Sequence, residues 1–187
     1  MREKWTERTF RFDLPPGRFP FLLERLRGTP ARVEERVPGI GAEALCRRIG
    51  NTWSAQENVG HLADIEDLHL GRLDDFEASA AVLRAADMEN RRTWDANHNA
   101  VPIDELLSRF RALRSRRVAR LAAWPPDRIE QSATHPRLSI PMRVIDLAYF
   151  TAEHDDYHLA RIHELIASDA RPAPCPPCGS LPAAACG

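Results

Sequence analysis

Two histidines, His154 and His158, stand four residues apart in the stretch Glu153–Ile162, inside a run with helical apolar periodicity. On an α-helix that spacing places two imidazoles one turn apart on the same face, where both can reach one metal ion. Two ligands make an incomplete site, so a third must come from elsewhere in the chain. His61 is the candidate, because it falls early in another strongly amphipathic segment, beside its apolar stripe. If the two segments pack together, three imidazoles converge at the edge of the core. Three neutral imidazoles leave a divalent cation with open positions, as in catalytic rather than closed structural sites. Such a cation lowers the pKa of bound water to about 7, or activates a bound thiol or carbonyl. Zinc or nickel is the first expectation for an all-nitrogen set, with iron or manganese as further options that spacing does not separate.

Other residues near these histidines carry two readings each. Asp64 lies one turn after His61. It can orient an imidazole or accept a proton, and it can equally be a plain ion-pair partner. Arg161, just beyond His158, suits an anionic substrate group or a solvated surface. His154-Asp155-x-x-His158 has the outline of a zincin helix with aspartate in the general-base position. The shorter acid and the lack of a downstream ligand argue against a protease. Asp155 and Tyr157 turn about 100° from the ligand face on an ideal helix. His69, His98, His135 and His163 lack a ligand context and are read as non-ligands.

The elements that must position these groups are helical. Thr9–Leu14 alternates apolar and polar residues, which predicts a short extended segment stopped by Pro15-Pro16-Gly17. Phe19, Leu22, Leu23, Leu26 and Val33 predict a first helix to about Val37, with a break or kink at Gly28-Thr29-Pro30. Ser54 and Glu57 form a capping-box signature at the start of a second helix that runs to about Ala80 and carries His61. Residues 84–101 have weak patterning and read as a linking segment. Asp104 is the expected cap of a third helix ending before Trp124-Pro125-Pro126. Two prolines between Asp127 and Pro141 predict a loop or small hairpin. Pro141 then suits the first position of a last helix, from about Met142 to Ala167. Four long amphipathic segments with almost no strand predict an all-α helical bundle over residues 1–170. Residues 171–187, rich in proline and alanine, read as a disordered tail; Cys175, Cys178 and Cys186 there lack the context of a redox or zinc motif.

A chain of 187 residues with a net charge of −1 gives no reason to expect nucleic acid or an anionic membrane as partner. The charged N-terminus and the lack of an apolar run of about 20 residues point to a cytoplasmic protein without a spanning helix. Cysteines concentrated in the tail leave no disulfide framework for the domain.

Two motifs, Trp53-Ser54-x-x-x-Asn58-Val59-Gly60-His61-Leu62-Ala63-Asp64 and His154-x-x-x-His158-Leu159-Ala160-Arg161-Ile162, occur in the order and separation of a known family. With Thr134-His135-Pro136 before the last helix, the chain resembles the DinB-like proteins, and within them the YfiT-like metal-dependent hydrolases, from about Phe19 to Ile166. The resemblance implies a four-helix bundle of up-down-down-up connectivity, frequent homodimers, and His61, His154 and His158 as metal ligands. It implies a hydrolase or a thiol-dependent S-transferase working on a small molecule, some members using a low-molecular-weight thiol. A non-catalytic metal- or ligand-binding module, involved in stress response, is the rival reading; a deep polar pocket at the open coordination position separates the two.

Overall fold

The computed structural model describes residues 3–169. The expected domain boundary at 170 and the cysteine-containing tail lie outside the described residues. Among the described residues there are seven α-helices: α1 (Phe19–Glu34), α2 (Ala42–Cys46), α3 (Ala55–Asp64), α4 (Glu66–Glu77), α5 (Arg91–Asp95), α6 (Ile103–Ala122) and α7 (Val144–Asp169). A hairpin of β1 (Ser132–His135) and β2 (Ile140–Arg143) precedes α7, with Ala133 opposite Met142 and His135 opposite Ile140. No helix among the described residues is long and apolar enough to cross a membrane.

The connectivity follows from the two apolar clusters of the core. One joins Phe19–Leu26, Leu73 and Phe76, Val118–Trp124 and Val144–Ala152. The other joins Val33, Ala55–Ala63, Leu106–Phe110 and Leu159–Leu165. The first cluster thus takes the N-terminal halves of α1 and α7 and the C-terminal halves of α4 and α6. Helices α1 and α7 therefore run one way and α3–α4 and α6 the other, which is the up-down-down-up bundle.

Between the two clusters every long helix contributes to one charged layer. Arg114 of α6 is completely buried. Its Nε donates to Glu66 Oε1 of α4 at 2.9 Å, and Nη1 and Nη2 donate to Asp155 of α7 at 2.5 and 2.9 Å. Nη1 also donates to the Leu26 carbonyl of α1 at 3.0 Å. Arg117 lies 3.1 Å from Glu66 Oε2, so two buried cations face two buried acids. Burial pulls the Arg114 pKa down, but Asp155 and Glu66 outweigh it and the net shift is upward. Burial would raise the Asp155 carboxyl, and Arg114 reverses that.

This layer explains a departure from the sequence reading. The expected break at Gly28-Thr29-Pro30 is absent, and α1 runs through Pro30. Proline has no N–H to bond the carbonyl four residues back, at Leu26. Arg114 supplies that carbonyl with a donor instead, and Thr29 Oγ1 donates to Asp155 at 2.8 Å. The proline gap thus becomes the place where a guanidinium enters the helix.

Other boundaries also moved. The capping box at the start of α3 is present: Ser54 Oγ accepts from the Glu57 N–H at 3.0 Å, and Glu57 Oε2 accepts from the Ser54 N–H at 2.9 Å. The second predicted helix is α3 and α4, interrupted at Ile65 alone. Asp104 sits inside the first turn of α6, where its charge suits the helix N-terminus, while Pro102 takes the cap position. Pro141 belongs to β2, not to the last helix. The first turn of α7 is served otherwise: the Arg143 N–H donates to Asp146, and the Val144 and Ile145 amides donate to the carbonyls of Gln131 and Ile129. Thr9–Leu14 forms no ladder, but its burial alternates as expected, Phe10, Phe12 and Leu14 turning inward.

Replacing Arg114 with methionine leaves Asp155 and Glu66 buried without their main partner. Urea denaturation of Arg114→Met is expected to show a loss of about 3–5 kcal/mol relative to wild type.

Candidate metal centre

Helix α3 carries His61 and α7 carries His154 and His158, and the antiparallel packing of these helices brings the three rings together. One nitrogen from each lies within 4.8 Å of one from each of the others. All three residues are at least nine-tenths buried. His154 Nε2 and His158 Nε2 stand 3.2 Å apart. A tetrahedral ion with metal–nitrogen bonds of about 2.0–2.1 Å separates its ligand nitrogens by about 3.3–3.4 Å. The pair is therefore spaced as such an ion requires.

The hydrogen bonds around two of the rings determine which nitrogen carries the proton. Asn58 Nδ2 donates to the Ser54 carbonyl at 2.7 Å, so the amide oxygen points the other way, to His158 Nδ1 at 2.8 Å. An amide oxygen only accepts, so Nδ1 carries the proton and Nε2 keeps its lone pair. His61 Nδ1 meets Thr93 Oγ1 at 3.1 Å, and that hydroxyl donates to Asp64 Oδ2 at 3.2 Å. Its single proton being committed to the carboxylate, Thr93 can only accept from His61. His61 Nε2 is then the free lone pair. Both imidazoles are set in the tautomer that ligates through Nε2, the arrangement in which partners on the far nitrogen orient metal-binding histidines.

Asp64 acts on His61 through Thr93 rather than by direct contact. Its carboxylate also accepts from His98 Nε2 at 2.7 Å and Arg109 Nη2 at 3.1 Å. Burial would raise this carboxyl, but the His98 bond and the Arg109 charge hold it below its usual range. His98 reaches Asp64 because residue 60 is glycine: a Cβ there would lie 2.3 Å from the imidazole carbons. Burial, with the charge of His154, lowers the His61 pKa to about 3. Burial, with the nearby arginines, lowers His154 to about 4. Both rings are neutral at pH 7, as ligation requires.

The three histidines line a cavity of about 760 Å³, within the range of small-molecule sites. Trp53 packs on His61 with ring centroids 4.6 Å apart, and Trp5 meets His154 edge-on at 5.0 Å. Arg161 lines the same cavity, its Nη2 donating to Thr52 Oγ1 at 2.8 Å and its Nη1 close to Glu164. Asp155 is held in the Arg114 layer, so the carboxylate in the zincin base position is already engaged. His69 and His135, read as non-ligands, also line the cavity, and neither belongs to the three-histidine group.

Trp5, Thr93 and His98 have no sequence signature. Trp5 lies in a charged leader, and Thr93 and His98 lie in the weakly patterned 84–101 segment. Asn58 is visible as a helical neighbour of His61, three residues before it, but its contact is with His158.

A family model described as the DinB superfamily matches residues 25–162. Among solved structures the chain is similar to YfiT from Bacillus subtilis, described as a probable metal-dependent hydrolase with an unusual four-helix bundle topology. The identity is 18%, the TM-score 0.71, and the match covers 87% of this chain and 93% of that one. That likeness shows the fold. No curated protein matches.

The unfolded chain protonates these imidazoles near their ordinary 6.5, the folded chain only near 3 for His61 and 4 for His154. Between those limits the unfolded state binds more protons, so stability falls as pH drops. Chelator-treated protein is expected to lose melting temperature steadily from pH 6.5 to 4, with a shallower slope for His154→Gln. A flat profile in wild type would contradict neutral burial of the rings.

Proposed function

The chain belongs to the DinB superfamily, and on that premise we propose that it is a metal-dependent enzyme in which His61, His154 and His158 hold a divalent ion, zinc or nickel first, beside a small-molecule cavity. Such an ion supplies Lewis acidity and acidifies a water or thiol that binds it. The reaction is then hydrolysis, or transfer to a low-molecular-weight thiol, on a small substrate. The observation that carries this reading is the shared space: the same three buried imidazoles that converge also line a cavity large enough for a substrate. A metal sealed under apolar side chains would favour a non-catalytic module; a cavity beside the imidazoles favours the enzyme. The hydrolase half of the proposal is supported by the likeness to YfiT, itself described as a probable metal-dependent hydrolase.

The chain's own groups have distinct parts in this proposal. Asn58 and Thr93 hold His158 and His61 with Nε2 presented to the ion. Asp64 strengthens His61 as a donor through the Thr93 hydroxyl. It does not line the cavity, which favours orientation over direct proton abstraction. Trp5 and Trp53 cover the rings and limit water around them. Arg161 offers a cationic contact at the cavity wall.

Metal analysis of purified wild type beside His158→Ala tests the centre. Near-stoichiometric divalent metal is expected in wild type and little in the variant; equal contents would overturn the proposal. A panel of hydrolase and thiol-transfer substrates, run on the metal-loaded protein, then reads out the reaction, and turnover is expected to disappear in His158→Ala. Thr93→Val, which removes the bridge between Asp64 and His61, is expected to weaken metal affinity about 10–100-fold in competition with a chromophoric chelator.

A further inference from the structure

Away from the three imidazoles, the cavity is lined by buried donors that no carboxylate among the described residues bonds. Arg72 of α4 is 2% exposed. Its Nε donates to the Arg84 carbonyl at 3.2 Å, a bond that needs no charge, and no carboxylate bonds its guanidinium. Asp75, the acid whose charge acts on Arg72, is already held by the Arg84 side chain and amide at 2.8–3.1 Å. Arg137, in the β1–β2 turn, lies over the Phe150 ring at 5.8 Å, and its Nη2 is buried without a partner. His135 Nδ1 accepts from the Leu138 N–H at 3.2 Å. A neutral ring must then carry its proton on Nε2, which is buried, unpartnered and part of a residue only 2% exposed.

The contrast with the charged layer is informative. Where the fold buries Arg114 and Arg117 for its own stability, it provides Glu66 and Asp155. At the cavity it buries Arg72 and half-buries Arg137, and among the described residues no carboxylate bonds either guanidinium, the nearby Asp75 being engaged by Arg84. Burial lowers both guanidinium pKa values, Arg72 to about 10 against the opposing charge of Asp75 and with help from that of Arg137. Burial and the same two charges keep His135 neutral, lowering it to about 4. Desolvated cations without a counter-charge are costly. A chain that keeps two of them on the wall of a cavity leaves the counter-charge to what enters it.

We propose that Arg72, His135 and Arg137 form an oxyanion subsite that receives a carboxylate or phosphate group of the substrate, while the reacting end of the same molecule lies toward His61, His154 and His158. This rests on the reading of the cavity as a substrate site, and it narrows the substrate to an anionic small molecule. Planar guanidiniums and an imidazole N–H suit both carboxylate and phosphate oxygens. Arg72, His135 and Arg137 line the same cavity as the three histidines, which ties the anion subsite to the cluster.

Titration calorimetry of the full-length protein, chelator-treated and zinc-loaded, with succinate and with inorganic phosphate as probes, tests the subsite apart from the metal. Saturable binding of at least one anion is expected without metal, and the tighter of the two identifies the group. Arg137→Met is expected to weaken it at least about tenfold, as for loss of a charge-assisted hydrogen bond. The same variant should melt higher than wild type in anion-free buffer, because an unpaired cation is gone, and should lose the anion-induced rise in melting temperature. Arg137→Lys should recover part of both responses. Failure of both anions to bind wild type, or unchanged binding by Arg137→Met, overturns the subsite, whatever the metal content. Anion binding by a protein that takes up no metal supports the subsite and sinks the metal centre alone.

Discussion

A guanidinium buried at the middle of a helical bundle must be neutralised from inside, and that requirement organises this molecule. Arg114 draws an acid from α4, an acid from α7 and a main-chain carbonyl from α1 to one point on α6. The apolar core consequently divides into two clusters with a charged layer between them. Apolar packing tolerates small rotations of a helix about its axis; a bidentate pair does not. By holding Asp155, Arg114 fixes the rotation of α7. His154, the next residue back and about 100° around the helix, is thereby set toward α3 and the cavity. The histidine pair depends on a residue that touches neither ring.

The connectivity supplies the remaining support. Helices α3–α4 and α6 run parallel, so the chain must travel back along about 35 Å of bundle between them. Residues 78–102 make that return. The segment joins the hairpin through the Val82–Thr134 bridge, then reaches His61 and Asp64 of α3 with Thr93 and His98. An up-and-down bundle with short turns would have no such segment. The polar surroundings of His61 come from a crossover that the topology makes obligatory.

The sequence carries the histidines but neither of these supports: the arginines of α6 read as a solvated flank, yet Arg114 and Arg117 are buried. The i,i+4 pair, the His61 motif and the Ser54–Glu57 capping box are local patterns, and local patterns are legible because helix geometry converts spacing into direction. Pro30 misled for the same reason. Its missing N–H is a local fact, whereas the donor that takes up the freed Leu26 carbonyl lies 88 residues beyond Leu26, on another helix. Thr93, His98 and Trp5 are silent because each acts across the fold from a segment without periodicity. Asp64 was legible as an acid near His61, but its route through a hydroxyl was not. That no carboxylate among the described residues bonds Arg72 or Arg137 is invisible in a sequence with 26 basic and 27 acidic residues, since overall balance hides a local imbalance.

Gly60 shows how narrow the tolerances are. Alanine is the better helix former at such a position, by about 1 kcal/mol. Its methyl group would nonetheless occupy the space of the His98 ring, which is 1% exposed and fastened to Asp64. The ring cannot step aside without giving up that bond, and the acid beneath Thr93 would then lose its strongest neighbour. Mutational drift can thus reach the metal ligands through an atom that the wild-type chain does not possess. For anyone grafting this site onto another bundle, the empty position beside His61 is as much a part of the specification as the histidines themselves.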